Sequence, residues 1–232
     1  MTGPQLPTDR TAGTAVARRS WMVAIAGAIV FLATFVLMSQ GLVESWDLES
    51  VEFFRDSEGN LTGSRLPHIV RDITTLGGWT FLAWMTLCTS TALASCGRKS
   101  EAPQLALTVI GAVALTYALK NGIGRSRPAY GIAIGITSKA FPSGHAMVAT
   151  VFYPTVAAIL WRFVDRRGLK YLLIVNAIGP PLMIGASRVY LGVHYATDVI
   201  AGWALGVAWG TLCWNWFGRN RMSNNNANGS IG

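Results

Sequence analysis

Apolar residues in this chain fall in long blocks, separated by short polar islands. Trp21 to Gln40, Trp79 to Cys96, Gln104 to Leu119, Ala146 to Leu160, Tyr171 to Ala186 and Val199 to Phe217 each run without a charged residue. Blocks of this size approach the ~20 residues a helix needs to cross the hydrocarbon core of a bilayer, and the third and fourth are borderline in length. The pattern predicts an all-α fold, a bundle of six transmembrane helices. The first block lacks a small-residue cleavage site and is followed by five more, so it reads as a span and not as a removable signal peptide. Between the first two blocks, Leu66, Ile69, Val70 and Ile73 recur at helical spacing. That spacing predicts short amphipathic structure within 41–75, lying on the membrane surface. Gly77-Gly78 breaks the chain before the second span. Pro154 and the pair Pro180-Pro181 sit inside the fourth and fifth blocks and predict bent helices. Such bends are tolerated in membranes when neighbours satisfy the freed carbonyls.

The ends differ from the middle. Residues 1–19 are polar and mixed, which predicts a flexible N-terminus. Residues 219–232, "RNRMSNNNANGSIG", are of low complexity and predict a disordered tail. A single membrane domain, 20–218, lies between them. The cysteines, Cys88, Cys96 and Cys213, lie in or at the ends of apolar blocks and form no CxxC or Cys/His cluster. They read as small apolar thiols and not as disulfide or zinc sites.

Charge orients the bundle. Arg10, Arg18 and Arg19, then Arg98 and Lys99, then Arg162, Arg166, Arg167 and Lys170, then Arg219 and Arg221 occupy the N-terminus, alternate loops and the C-terminus. With six spans they share one side, and the excess of Lys and Arg makes that side cytoplasmic. Both termini are then cytoplasmic, in a cell (plasma or inner) membrane. The first outer loop is acidic. Lys120, Arg125, Arg127, Lys139 and Arg188 break the rule, because they fall on the extracytoplasmic side. Cations there call for an anionic ligand. The net charge of +8 thus has two sources, and nucleic acid is not needed as a partner to explain it.

Three polar islands hold the candidate chemistry. "KNGIGRSRPAYG" (120–131) ends a helix with glycine and proline, and Lys120 and Arg127 can converge on one anion, as a point charge and a planar fork. "FPSGHA" (141–146) places Ser143 and Gly144 at a helix N-terminus, where free N–H groups attract phosphate, with His145 in the first turn. "SRVYLGVHYATDV" (187–199) sets His194 and Asp198 four apart. On one helix face the carboxylate can accept the ring Nδ1–H and leave Nε2 as a lone-pair donor. Arg188, six residues earlier, can clamp the same phosphate, and Gly192 permits the reversal between spans. Each island alone has a bland explanation: a solvated basic loop, a capped helix, a structural His–Asp pair. Together they supply a nucleophile (His194), its orienting group (Asp198), a leaving-group acid (His145) and cations for the equatorial oxygens. No carboxylate cluster suited to Mg²⁺ or Zn²⁺ is visible, so no metal and no cofactor are expected. His68 lies in the amphipathic stretch without a telling neighbour and reads as an interfacial residue.

This ordered set is Lys120, six residues, Arg127-Pro128; Pro142-Ser143-Gly144-His145; Ser187-Arg188, five residues, His194, three residues, Asp198. It resembles the three-part motif of the type-2 phosphatidic acid phosphatase superfamily. That family includes lipid phosphate phosphatases, undecaprenyl-diphosphate phosphatases, soluble acid phosphatases and vanadium haloperoxidases. The resemblance implies a helical bundle with its site at the outer membrane face. It implies His194 as nucleophile, His145 as general acid and Asp198 as the group that orients His194. Lys120, Arg127, Ser143, Gly144 and Arg188 would bind phosphate.

The expected function is a metal-independent membrane phosphatase acting on a lipid phosphate or diphosphate through a phosphohistidine. Undecaprenyl diphosphate is favoured, because Arg125 and Lys139 add positive charge that suits a diphosphate. Phosphatidylglycerophosphate and phosphatidic acid are the alternative substrates. A headgroup-binding protein or transporter is the non-enzymatic alternative, but binding alone needs no oriented nucleophile. Oligomeric state cannot be read from the sequence.

Overall fold

Among the described residues, six of the eight helices grow directly out of the apolar blocks. The structure is a computed structural model that describes residues 8–62, 65–130 and 137–229, with side chains described within 18–218. Helix α1 spans Thr8–Ser39, α2 Glu44–Glu52, α3 Leu66–Thr75, α4 Trp79–Ser95, α5 Glu101–Ile123, α6 Gly144–Trp161, α7 Arg167–Tyr190 and α8 Ala196–Gly229. No β-strand longer than the single bridge between Arg55 and Leu61 occurs among the described residues. Among the described residues, five stretches are long and apolar enough to cross a membrane: Arg18–Ser39, Glu101–Ile123, Gly144–Trp161, Arg167–Tyr190 and Ala196–Gly218. Helix α4, the remaining block of the expected six, has 17 residues, near the lower limit for a span.

The helical ends reach further than the sequence suggests. The backbone of α1 is already helical at Thr8, and that of α8 continues to Gly229, through segments expected to be flexible or disordered. Extending an existing helix needs no new nucleus, so polar residues can continue one that a span has started. Residues 1–7 and 230–232 lie outside the described structure.

Helix α6 is the hub. Nearly every residue from Gly144 to Phe152 is buried. It packs on α4 and α5 through a core of Leu82, Leu105, Val109, Met147, Val148 and Val151, and on α7 and α8 along its other faces. Gly202 makes the approach of α8 possible: a Cβ there would lie 2.6 Å from the Ser143 carbonyl oxygen. Helix α1 runs along α8 and lays Phe31 and Phe35 against Phe141, with ring centroids 5.8 and 6.1 Å apart. Outward faces stay apolar, as Ile25, Ile29 and Leu32 of α1 and Leu172, Val175 and Ile178 of α7 show. Apolar residues so exposed along whole helices fit a lipid surround. Helix α7 passes through Pro180-Pro181 without interruption, and the Trp203 indole N–H donates to the Pro181 carbonyl at 3.0 Å.

The expected short helices in 41–75 are α2 and α3. Helix α3 packs on α7 through buried Val70 and leaves Leu66, Ile69 and His68 exposed. Cys88 and Cys96 are exposed and Cys213 half-buried, each as a free thiol. All three polar islands meet at one end of the bundle, where α5 and α7 finish and α6 and α8 begin. Arg98, Lys99, Arg162, Arg166, Arg167 and Lys170 occupy the opposite end, in the connections between α4 and α5 and between α6 and α7 and in the first turn of α7.

Candidate active site

The segment from Ser187 to Val199 explains itself once its hydrogen bonds are followed. Helix α7 ends at Tyr190. The Val193 N–H then donates to the Arg188 carbonyl at 3.1 Å and the Gly192 N–H to the Val189 carbonyl at 2.9 Å. This is a Schellman ending, which needs a left-handed residue, and Gly192 takes it with φ 65°. The chain reverses and delivers His194 into the bundle, where its side chain is fully enclosed.

His194 and Asp198 do meet, but not as two positions of one helix. Helix α8 begins at Ala196, so His194 sits in the turn before it. Asp198 occupies the third helical position and reaches backwards. Its Oδ2 accepts the Tyr195 N–H at 3.0 Å and lies 3.3 Å from His194 Nδ1. Asp198 thereby does what the acidic member of a capping box does, and adds the imidazole. On the other side of the ring, Arg127 Nη1 lies 3.1 Å from His194 Nε2. A guanidinium has only donors, so Nε2 is the acceptor and Nδ1 carries the proton toward Asp198. Burial, then the charges of Arg127, Lys120 and Arg188, hold the His194 pKa well below that of a free imidazole. The ring is neutral, with its lone pair at Nε2.

The cations converge from three elements. Lys120, in the last turn of α5, donates to the carbonyls of Lys139 and Ala140. Arg127 is buried and donates to the Ser138 carbonyl and hydroxyl at 2.6 and 2.9 Å and to the Val193 carbonyl at 2.6 Å. Burial pushes its pKa down and Asp198 opposes that shift. Arg188 is buried and donates to Thr74 Oγ1 of α3 at 2.8 Å. His145 lies within electrostatic reach of Arg188, His194, Arg127 and Lys120.

Ser143 and Gly144 stand where the sequence puts them, at the start of α6. The Ser143 N–H is tied to the Asp198 carbonyl at 2.9 Å, which locks this loop to the His194 segment. Ser143 Oγ and Arg188 Nε are buried and find no partner among the described residues. Buried polar groups seldom go unpaired. Two such donors beside three cations and a helix N-terminus form a cradle suited to a phosphate. Among the described residues no three His, Cys, Asp or Glu side chains cluster as metal ligands. Gly131, at the end of the first island, lies outside the described residues, with 132–136.

Two residues stand differently from the sequence reading. Arg125 was grouped with the surplus cations. It is instead clamped between two carboxylates, Asp198 Oδ1 at 2.7 Å and Asp47 Oδ2 at 2.6 Å. Burial lowers its pKa, but the two carboxylates outweigh this and leave it raised. The side chain of Lys139 is exposed. Asp47, from α2, was not singled out at all. It is one of several acidic residues in a loop far from the motifs, and nothing in its spacing marks it.

Residues 102–222 match the model of the PAP2 superfamily. Phosphatidylglycerophosphatase B of Bacillus subtilis is 34% identical over 146 residues, 61% of this chain and 70% of that one. An undecaprenyl-diphosphatase of Sulfolobus acidocaldarius is 36% identical over 70 residues, 30% of each chain. The crystal structure of a transmembrane PAP2-type phosphatidylglycerolphosphate phosphatase from Bacillus subtilis superposes with a TM-score of 0.72 at 26% identity, covering 84% of this chain and 96% of that one. With over half its length matched and its motif residues gathered at one end of a membrane-type bundle, this chain belongs to the PAP2 superfamily.

Proposed function

We propose that this membrane protein hydrolyses the terminal phosphate of a lipid, with His194 as nucleophile. The observation that carries the proposal is the state of the His194 ring: Nδ1 on Asp198 and Nε2 turned to Arg127. In the reaction Nε2 attacks phosphorus, and the ester P–O bond breaks. Arg127, Lys120, Arg188, Ser143 Oγ and the Gly144 N–H take the phosphoryl oxygens, and Asp198 stabilises the positive ring. His145 gives a proton to the leaving lipid oxygen. Water then attacks the phosphohistidine, His145 takes a proton from that water, and inorganic phosphate leaves. Side chains supply the positive charge in each step, so a metal ion is not required.

Sidedness belongs to the same proposal. Counting α4 as a sixth span puts both termini and the exposed basic end in the cytoplasm, by the rule that Lys and Arg gather inside. The cradle then faces outward, at headgroup depth.

Phosphatidylglycerophosphate is the substrate to test first. The Bacillus subtilis relative with that activity in its name aligns over 70% of its length. The case for a diphosphate also loses Arg125, which is held by Asp47 and Asp198. Undecaprenyl diphosphate remains the second reading, supported by the named Sulfolobus relative. Purified protein in detergent, given phosphatidylglycerophosphate, phosphatidic acid and undecaprenyl diphosphate in EDTA, should release phosphate, fastest from the first. Fastest release from the polyprenyl lipid would select the second reading. No release from any lipid defeats the proposal. Activity lost in EDTA and restored by Mg²⁺ defeats its metal-free chemistry.

A further inference from the structure

Asp47 lies outside the stretch that matches the family, residues 102–222, yet it is almost wholly buried against that stretch. Its Oδ1 accepts the Thr197 N–H at 3.0 Å, and its Oδ2 accepts the Thr197 hydroxyl at 2.6 Å. Helix α8 starts after Tyr195, whose side chain cannot cap a helix. Asp47 therefore supplies the missing acceptor from another element, in the turn that carries His194 and Asp198. The same Oδ2 takes one arm of Arg125, and the other arm of Arg125 holds Asp198 Oδ1 and the Thr197 hydroxyl. The Arg125 guanidinium also lies over the Tyr195 ring, 4.4 Å from its centroid. Both arms of Arg125 and both oxygens of Asp47 are thus engaged with one another, Thr197 and Asp198.

Resting on the phosphatase reading, we infer that Asp47 and Arg125 form a positioning pair that sets both the place and the effective charge of Asp198. The argument is a charge count. Asp198 with Arg125 alone is a neutral pair, and a neutral pair gives little support to a ring that becomes positive on phosphorylation. Asp47 occupies the other arm of Arg125, and the Asp47–Arg125–Asp198 bridge then carries one net negative charge. That charge sits behind His194, opposite Lys120 of α5, Arg127 of the following connection, His145 of α6 and Arg188 of α7. Outer helix α2 thus belongs to the catalytic device, although it touches no substrate.

The test separates a charge effect from a packing effect. Asp47→Asn keeps the shape and the acceptor for the Thr197 N–H but removes the negative charge. Arg125→Gln removes the positive one. Both should lower kcat, on the order of 10–100-fold as for other groups that orient a working histidine, with KM for phosphatidylglycerophosphate changed less than threefold. Their pH behaviour should differ in sign. Asp47→Asn makes a charged ring less favourable, so His194 titrates lower and the acid limb of kcat moves to lower pH. Arg125→Gln does the opposite. Each shift should be on the order of half to one pH unit. The double variant should return near the wild-type position, and Arg125→Lys should keep it. The chain has three histidines, so His194 can also be followed directly by NMR of ring-labelled protein, identified by its loss in His194→Gln. Opposite shifts of the ring support the inference whether or not a lipid is hydrolysed. Absence of turnover in the wild type would defeat the phosphatase reading separately. Shifts of the same sign in the two single variants, or none in either, would overturn the inference.

Discussion

The two ends of the bundle carry similar cations and use them differently. At the end away from the candidate site, Arg98 lies over Phe163, Arg162 over Trp214 and Lys170 over Trp161, with 3.7, 4.7 and 5.1 Å to the ring centroids. These are interfacial contacts, each worth about 0.5–1 kcal/mol when exposed. At the end that holds the candidate site, Arg127 and Arg188 are buried and Arg125 nearly so. Their donors go to backbone carbonyls, hydroxyls, carboxylates and His194. Burying a guanidinium costs several kcal/mol unless it is fully paired. Among the described residues, Arg188 Nε and Ser143 Oγ find no partner within that expensive environment. Charge near a membrane therefore says little until it is known whether it is buried. Exposed cations orient a protein, whereas buried cations with spare donors hold an anion.

Several substitutions break or sharpen that contrast. The largest effect belongs to His194→Ala, which should abolish phosphate release while the protein elutes as a folded monodisperse species in detergent. Asp198→Asn should follow, with kcat reduced on the order of 10⁴-fold, as when the carboxylate behind a catalytic histidine is neutralised. Arg127→Lys keeps the charge but loses the fork, and should cost about 10²-fold in kcat/KM. Gly202→Ala tests the frame. The new methyl would press on the Ser143 carbonyl, which should lower stability by about 1–3 kcal/mol and depress kcat by shifting the Ser143 loop. At the opposite end, Arg162→Ala should leave kcat within about twofold and stability within about 0.5 kcal/mol. A pH–rate profile sharpens the same comparison. Burial, and then the charges of Arg127, Lys120 and Arg188, hold the His194 pKa well below its ordinary value, so the proposed nucleophile should stay competent as pH falls. The acid limb it sets should lie below the value of about 6.5 for a free imidazole. A limb above that value would contradict the assigned burial and charge.

The spans were legible because a bilayer imposes one length and one polarity on a helix. The block Ala146 to Leu160, for example, became Gly144–Trp161 with two residues added before it and one after. The motif residues were legible for a different reason. Lys120, His145, Arg188 and Asp198 sit at helix ends that topology forces together, so spacing along the chain carried their spatial relation. Where that relation depended on packing, the sequence was silent. Asp47 pairs with Thr197 across 150 positions, and no periodicity links them. Arg125 resembled the other outer cations in type and place, and its partners alone distinguish it. His194 and Asp198 were expected on one helical face, but a left-handed glycine and a back-reaching carboxylate join them instead.

The central claim is that His194 becomes covalently phosphorylated. Wild-type protein mixed with phosphatidylglycerophosphate labelled with ³²P in its terminal phosphate, and quenched in SDS at alkaline pH within the first turnover, tests it directly. The account predicts label on the protein that survives base, is lost in acid, and is absent from His194→Ala. Label retained by His194→Ala, or phosphate released by that variant at the wild-type rate, would contradict it.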